Sequence, residues 1–319
     1  MTEHTITVAL AQVAPVWLQR DATIDKILGY VSQAADKHAD LVVFGESLLP
    51  GYPWWLSITN GSAFNNKIQK ELHAHYVANA ISIEEGDLDS ICQLAAQRQI
   101  AIYLGIIERP ADRGGHSIYC SLVYIDKSGA IQSVHRKLQP TYEERLTWSP
   151  GDGHGLRTHK LGAFTLGGLN CWENWMPLSR TALYAMGEDL HIAVWPGCER
   201  NTIDITRFMA QEGRSYVISV SGMMSADDIP QETPHRELLL ENAHKLEANG
   251  GSCIAKPDGT WLLPPQVGTE GLFLAELDHS IVLQERQNFD PVGHYSRPDV
   301  TSLTVNRQRQ SVIKVEDAG

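Results

Sequence analysis

The chain lacks a hydrophobic run long enough to cross a membrane. A spanning helix needs about 18 consecutive apolar residues, and the longest clean run here extends only from Ile100 to Ile107. The first apolar stretch, in MTEHTITVAL, also has no basic segment ahead of it. A secretory signal is therefore not expected, and we expect a cytoplasmic protein with no membrane partner.

Positive charge is scarce as well. The 26 lysines and arginines face 38 aspartates and glutamates, which gives a formal net charge of −12, and no long basic cluster interrupts this balance. Proteins that bind phosphate backbones or anionic surfaces concentrate lysine and arginine on one face. Nucleic acids and anionic membranes are therefore not expected as partners.

Paired cysteine motifs are missing too. The five cysteines are an odd number, widely scattered, without the C-x-x-C spacing of a zinc site: Cys92, Cys120, Cys171, Cys198 and Cys253. A disulfide framework is not predicted. His73 and His75 stand two apart in a predicted helix, where they face different sides, so we interpret them as solvated. We predict no metal and no cofactor.

Strand and helix patterns alternate along the 319 residues without a linker, an internal repeat or a low-complexity block. This order predicts one α/β domain over residues 1–304, followed by a polar tail over 305–319. The predicted strands are 6–13, 41–44, 100–107, 117–125, 130–134, 161–170, 191–195, 216–220, 252–255 and 261–263. One predicted helix starts after an N-cap at Asp21, and the others cover 65–80, 88–97, 178–186 and 203–214.

The stretch GGLNCWENWMP, residues 167–177, places Cys171 at the end of an apolar strand and just before a helix that opens at Pro177. A strand, a sharp turn and a helix lift a side chain off the sheet and direct the following backbone N–H groups toward whatever it attacks. Cys171 is therefore the candidate nucleophile. Cys198, which also follows a strand, is the rival by position, whereas Cys92, Cys120 and Cys253 read as core residues.

Two charged residues follow other predicted strands. Glu46 stands where the strand of residues 41–44 enters a turn-rich loop, and burial there would raise its pKa toward the range of a general base. Lys137 follows the strand that ends at Val134, and an ammonium near a cysteine favours the thiolate. From position alone, Glu46 could equally be a surface glutamate or one held by backbone N–H groups, and a lone lysine such as Lys137 is more often a solvated surface charge.

Together these segments resemble the nitrilase, or carbon-nitrogen hydrolase, superfamily. Glu46 in FGESLLPGYP, Lys137 in HRKLQPTYEERL and Cys171 in GGLNCWENWMP stand in the order of that superfamily's Glu-Lys-Cys triad. The resemblance runs from about Thr5 to Asp299. The C-W-E-N segment and the G-H-Y-S-R-P-D segment are most similar to the true nitrilase branch.

The resemblance implies a role for each matching residue. Cys171 is the implied nucleophile, Glu46 the general base and Lys137 the cationic stabiliser. A fourth residue, a glutamate followed by arginine, matches Glu144, with Glu143 as the alternative. Many nitrilases have histidine where this chain has Tyr142, so no substrate preference is carried over from them.

The implied reaction converts a small nitrile and water to a carboxylic acid and ammonia through a covalent thioimidate and a thioester. An amide or carbamoyl hydrolase with the same triad is the first alternative, and a catalytically weak assembly protein of the same fold is the second. Four aromatic residues at strand ends could wall an apolar cavity, or could instead pack the core or a subunit contact: Tyr52, Trp148, Trp172 and Trp195.

The resemblance further implies a fold and an assembly. The expected fold is a single-domain, four-layer α-β-β-α sandwich. The expected assembly is a homodimer that extends into spiral or filamentous homo-oligomers, although no sequence pattern of self-association supports this independently.

Overall fold

The computed structural model describes residues 4–313. Its strands are β1 (Thr5–Gln12), β2 (Leu41–Phe44), β3 (Ala101–Glu108), β4 (Tyr119–Ile125), β5 (Ile131–Arg136), β6 (His159–Leu161), β7 (Phe164–Asn170), β8 (Leu190–Trp195), β9 (Tyr216–Ser221), β10 (Met223–Met224), β11 (Ala248–Ala255), β12 (Trp261–Val267) and β13 (Gly271–Asp278). Its α-helices are α1 (Arg20–Asp36), α2 (Trp55–Ile58), α3 (Lys67–Ala78), α4 (Asp89–Arg98), α5 (Pro177–Ala185), α6 (Ile203–Gly213), α7 (Arg236–Asn242) and α8 (His279–Arg286).

The strands form two sheets. The first has the order β13-β1-β2-β3-β4-β5, and the second has the order β10-β11-β9-β8-β7-β6, with β12 paired to β11. Within each sheet a run of three parallel strands, β1-β2-β3 or β7-β8-β9, forms the centre. Parallel strands need covered faces on both sides, which is why these segments are almost continuously apolar in sequence.

The main core lies between the two sheets. Successive side chains of a strand point to opposite faces, so Val43 of β2 faces the second sheet while Val42 faces α1 and α4. On the far side, α6 covers the outer face of the second sheet around Ala193 and Val217. The layers are therefore helix, sheet, sheet and helix, which confirms the predicted α-β-β-α sandwich.

Some local predictions need correction. Helix α1 begins at Arg20 after Gln19, so Asp21 lies in the first turn rather than at the N-cap. Helix α3 begins later than predicted because the side chain of Asn66 caps it by accepting hydrogen bonds from the N–H groups of Ile68 and Gln69. Strand β13 was not predicted, because its pairing with β1 joins segments more than 250 residues apart.

The described part of the predicted tail, residues 305–313, contacts the domain through hydrogen bonds. Arg309 donates to Asp152 Oδ1 at 3.0 Å, and the N–H of Gln310 donates to Asp152 Oδ2 at 2.8 Å. Residues 314–319 lie outside the described residues, and the domain boundary at 304 stays a prediction. Among residues 4–313, no helix combines the length and the apolar character that crossing a membrane requires.

The fold brings the predicted site residues to one region because each follows a strand. Glu46 comes directly after Gly45 at the end of β2, Lys137 follows β5, and Cys171 follows β7. The N–H of Glu46 donates to the carbonyl oxygen of Trp195 in the other sheet at 3.3 Å. The site therefore lies where the ends of both sheets meet, as is common for open α/β sheets.

We expect Gly105→Ala to destabilise the protein. A Cβ atom on Gly105 would lie 2.3 Å from the carbonyl oxygen of Gly45 and 2.5 Å from the nitrogen of Ser47. Relieving this contact should lower the free energy of unfolding by about 1–3 kcal/mol, measured by chemical denaturation. Gly29→Ala on the exposed face of α1 meets nothing within 4 Å and should raise stability by roughly 0.5–1 kcal/mol. If Gly105→Ala and Gly29→Ala had equal stability, the close contact of Gly105 with Gly45 and Ser47 would be refuted.

Candidate active site

Cys171 stands on a sharp turn at the end of β7. Its φ of 48° places it in the left-handed region, which residues other than glycine seldom adopt without support. A short 3₁₀ segment, Cys171–Trp175, follows, and α5 then begins at Pro177. The predicted strand, turn and helix are therefore confirmed, and the strained residue is the candidate nucleophile itself.

A buried lysine connects two carboxylates next to this cysteine. Lys137 Nζ donates to Glu46 Oε1 at 2.8 Å and to Glu144 Oε2 at 2.7 Å, and all three side chains are almost completely inaccessible to solvent. The Cys171 Sγ atom and one carboxylate oxygen from each glutamate all lie within 4.8 Å of one another. The structure thus brings together Glu46, Lys137, Glu144 and Cys171 in one cluster.

The environment of Glu46 gives it the character of a base. Burial raises the pKa of its carboxyl to about 7, although the Lys137 charge acts in the opposite direction. Its Oε1 atom accepts from Lys137 and from the Cys120 thiol, whose Sγ lies 3.7 Å away. Its Oε2 atom has no hydrogen-bond partner among the described residues. That oxygen can therefore accept a proton near neutral pH.

The thiol and the ammonium keep their protons in this environment. Burial and the negative charge of Glu46 raise the pKa of the Cys171 thiol well above its ordinary value, while Lys137 and the Trp172 N–H lower it. Burial disfavours the charged form of Lys137, but Glu144 and Glu46 outweigh it and hold the pKa of Lys137 well above its ordinary range. Cys171 therefore needs a base, and Lys137 remains a cation.

Glu144, and not Glu143, joins this cluster. Besides Lys137, Glu144 accepts from the Tyr52 hydroxyl at 2.9 Å and from the Thr141 N–H at 2.6 Å. Glu143 is half-buried and lines the adjacent cavity. The geometry therefore favours Glu144 as the fourth site residue.

A cavity of about 390 Å³ opens beside Cys171. It is lined by Tyr52, Trp54, Ser57, Thr141, Glu143, Glu144, Cys171, Trp172, Pro196, Gly197, Cys198, Arg200, Asn201, Lys245 and Glu247. Two of the four predicted wall aromatics, Tyr52 and Trp172, line it. Tyr142, where the chain departs from many nitrilases, is 82% exposed and lies outside this cavity.

The expectation that Trp148 and Trp195 also wall the cavity needs correction. Trp148 is buried behind Tyr52, with the two rings edge to face and their centroids 5.5 Å apart, and its ring centroid lies 5.4 Å from Lys137 Nζ. Trp195 is fully buried on β8, where it packs against α6 and donates to Ser219 Oγ at 3.3 Å. Trp195 stands at the end of β8 as predicted, whereas Trp148 follows the 3₁₀ segment Tyr142–Leu146 and belongs to no strand. Both side chains point into the core.

Two other predictions about single residues change. The prediction that Cys120 is only a core residue is incomplete, because its thiol contacts Glu46, which is 74 residues away in sequence. His73 and His75 were interpreted as solvated, but both are half-buried, and burial lowers the pKa of both. His73 is hydrogen-bonded to Thr147 at 2.9 Å. Sequence spacing could not reveal these contacts because they depend on distant elements.

Within residues 4–313, the one group of three acidic, cysteine or histidine residues with atoms close enough to hold a metal ion is Glu46, Glu144 and Cys171. The Lys137 ammonium already bonds to both carboxylates of that group. We therefore interpret these three residues as a cluster arranged around the Lys137 ammonium.

Sequence reasoning did not assign a role to Glu173. This buried carboxylate accepts from the N–H of Leu138 at 2.6 Å and from the N–H of Asn170 at 2.9 Å, and it pairs with His135. Leu138 follows Lys137 and Asn170 precedes Cys171, so one side chain links the two segments. The signal was present as the capping-box spacing of Asn170 and Glu173.

The family model described as carbon-nitrogen hydrolase matches residues 7–286, and the chain belongs to that family. The chain is 35% identical over 314 residues to a protein named Nitrilase 2 from an unknown prokaryotic organism, covering 98% of this chain and 96% of that protein. It is 34% identical over 325 residues to an aliphatic nitrilase of Rhodococcus rhodochrous, covering 97% of this chain and 81% of that protein.

The fold is also similar to that of solved structures. A carbon-nitrogen hydrolase from Helicobacter pylori G27 superposes with a TM-score of 0.66 at 21% sequence identity, over 93% of this chain and 97% of that one. This likeness supports the two-sheet sandwich.

We expect Glu144→Gln to lower kcat by about a hundredfold or more. Lys137 would lose one of its two carboxylate partners, and its ammonium would no longer be held in place. Glu143→Gln is the matched control, and its effect should appear in KM rather than kcat because Glu143 lines the cavity without contacting Lys137. Steady-state kinetics on both variants would measure this. A larger loss of kcat in Glu143→Gln would reverse the assignment.

Proposed function

We propose that this chain is a nitrilase, which hydrolyses an organic nitrile to a carboxylic acid and ammonia. The observation that carries the proposal is the buried cluster in which a thiol, a partner-free carboxylate oxygen and an ammonium lie together beside the cavity that Cys171 and Glu144 line. Relatives named nitrilases, similar over nearly the whole chain, support the nitrile as substrate.

The first step forms a covalent bond to sulfur. Glu46 accepts the proton of the Cys171 thiol, and the thiolate attacks the nitrile carbon. One π bond of the nitrile breaks as the carbon-sulfur bond forms, so negative charge develops on nitrogen. Lys137 and the Trp172 N–H stabilise this charge, and the proton held by Glu46 passes to nitrogen to give a neutral thioimidate.

Water then completes the reaction in two additions. Glu46 accepts a proton from the first water as the water oxygen bonds to the thioimidate carbon and the C=N π bond breaks, and it passes that proton to nitrogen. Glu46 then transfers the hydroxyl proton to nitrogen as the carbon-nitrogen bond breaks, which releases ammonia and leaves a thioester. A second water attacks the resulting thioester in the same way, and the carbon-sulfur bond breaks to release the acid and the free thiol. If the first tetrahedral intermediate expels sulfur instead of nitrogen, the product is an amide.

Glu144 is proposed to hold the cation in place. It contacts Lys137 through one oxygen and the Tyr52 hydroxyl through the other. Because both of its oxygens have donors, Glu144 is less suited than Glu46 to act as the base. We infer that Glu144 fixes the direction in which the ammonium faces the substrate nitrogen.

The size of the cavity supports a small substrate. Its volume of about 390 Å³ falls in the lower range of small-molecule pockets. Tyr52 and Trp172 supply aromatic walls, whereas Arg200, Lys245 and Glu247 make the wall more polar than the sequence suggested. We propose that an aryl or alkyl nitrile binds with its nitrile carbon beside Cys171.

We also propose that the chain forms a homodimer that extends into larger spiral or filamentous assemblies. Apolar side chains next to the site and along α5 and α6 support the dimer because they are strongly exposed in the single chain: Trp175 (43%), Met176 (37%), Leu178 (67%) and Phe208 (48%). Clusters of exposed apolar residues of this kind favour contact with another subunit.

The activity should fall as the pH is lowered through about 7. Glu46 can accept the thiol proton only as a carboxylate, and burial raises the pKa of its carboxyl to about 7. We expect kcat/KM to rise with pH up to about that value and then level off, measured between pH 5 and 9 with circular dichroism as a control for folding. An acidic limb near the ordinary carboxyl pKa, or none at all, would contradict the assignment of the base.

A panel of nitriles and the matching amides tests the reaction itself. The wild-type protein should release acid and ammonia from at least one nitrile, and mass spectrometry should detect a covalent adduct on Cys171. Cys171→Ala should remain folded but lose both turnover and adduct, while Cys92→Ala on α4 serves as the matched cysteine control. Turnover of amides alone would identify an amide hydrolase with the same triad, and retained activity of Cys171→Ala would refute the mechanism.

A further inference from the structure

The peptide bond between Cys171 and Trp172 has both of its polar groups engaged. The Trp172 N–H faces the Cys171 thiol and lowers its pKa. The Cys171 carbonyl oxygen accepts a hydrogen bond from Asn174 Nδ2 at 2.8 Å. In a planar trans peptide the C=O and N–H groups point in opposite directions. Whatever holds the carbonyl therefore also sets the direction of the N–H.

The orientation of the Asn174 amide is determined by its neighbours. Its Nδ2 atom donates to the carbonyl oxygens of Cys171 and Leu169, which can only accept. Its oxygen is therefore the atom that faces His191 Nε2 at 2.8 Å. An amide oxygen only accepts hydrogen bonds, so His191 must carry a proton on Nε2.

The other nitrogen of His191 faces a carboxylate. His191 Nδ1 lies 2.8 Å from Glu188 Oε1, and both side chains are almost fully buried. One proton between the two atoms satisfies this contact. If it sits on Nδ1, an imidazolium faces a carboxylate, and if it sits on Oε1, a carboxylic acid faces a neutral imidazole. In each case Nε2 keeps the proton that the Asn174 oxygen requires, and the proton between Glu188 and Nδ1 holds the ring in place.

The sequence around the nucleophile leaves room for this arrangement. Gly167 pairs with His191 across β7 and β8. A Cβ atom on Gly167 would lie 2.2 Å from Glu188 Oε1, so glycine at this position leaves space for the carboxylate. The first glycine of GGLNCWENWMP thus has a structural reason that is separate from the turn at Cys171.

We propose that Glu188, His191 and Asn174 form a positioning relay that directs the Trp172 N–H at the reacting sulfur and at the negative charge that develops in the reaction. None of the three residues lines the cavity, so the relay acts through the backbone of the nucleophile. The identity of the charged atom as a nitrile nitrogen rests on the proposed function. The orientation of the N–H toward sulfur does not.

The relay predicts which substitutions slow the nucleophile. His191→Phe removes the donor to Asn174, and Glu188→Leu removes the partner that holds the imidazole. Glu188→Gln differs, because its amide can donate to Nδ1 and keep the proton on Nε2. If Glu188 acted only through its negative charge on the structure, Glu188→Gln would slow the reaction of Cys171 as much as Glu188→Leu.

The test measures the rate at which iodoacetamide alkylates Cys171 at a fixed pH, followed by mass spectrometry of the peptide that contains it. We expect about a 10- to 100-fold slower alkylation in His191→Phe, less than the full removal of an oxyanion donor produces, and a loss of about tenfold in Glu188→Leu. Glu188→Gln should recover most of that loss. In turnover of a nitrile, kcat should fall in parallel while KM changes less than about threefold.

The matched control is His279→Leu, which removes another histidine paired with a carboxylate, Asp189, at 2.9 Å and away from the nucleophile. It should reduce stability without slowing alkylation of Cys171. Alkylation of folded His191→Phe at the wild-type rate, or equal losses in the two Glu188 variants, would overturn the relay.

A measurement on the wild-type protein keeps the proposal testable even if the variants fail to fold. Long-range ¹H–¹⁵N spectra of the assigned His191 imidazole should show a protonated Nε2, and a bare Nε2 would overturn the relay. Because alkylation and tautomer need no substrate, a protein that passes both tests but hydrolyses no nitrile would refute the proposed function alone.

Discussion

The contact on which the site depends is the buried Lys137 ammonium held between two carboxylates. Each ion would be costly to bury alone, and the cost is offset only while all the partners stay in place. Glu46 comes from the end of β2, Lys137 from the end of β5, and Glu144 from the 3₁₀ segment Tyr142–Leu146. The charge cluster therefore ties the ends of two strands of the first sheet to the 3₁₀ segment that follows β5, so it is stable only when these parts are correctly folded.

The proposed nucleophile, Cys171, follows a strand of the second sheet, so the site is complete only when the two sheets meet. Cys171 is held in a strained backbone conformation by the residues that follow it. Glu173 connects its strand to the segment of Lys137, and Asn174 holds its carbonyl oxygen. Reactivity at the sulfur thus depends on side chains that do not themselves line the cavity.

Much of the fold could be predicted from sequence because the signals are local. The run Leu41–Phe44 is apolar on both faces, as a covered parallel strand must be, and β2 has those bounds. The segment over β13 also holds a short apolar run, residues 272–275, but most of its side chains are only half-buried. Its strand exists because β1 supplies the hydrogen-bonding partners, and pairing between distant segments leaves little trace in a local pattern.

The sequence by itself determined the turn at Cys171 and the strand-end positions of Glu46 and Lys137, since each follows from residue periodicity or a short motif, and the order of layers followed from the resemblance to the family. Tertiary structure decided the rest. It placed Glu144, and not Glu143, against Lys137, turned Trp148 and Trp195 into the core, and brought Cys120 to Glu46. These outcomes depend on where a side chain points and which distant chain segment it meets, and on the burial that raises the pKa of Glu46.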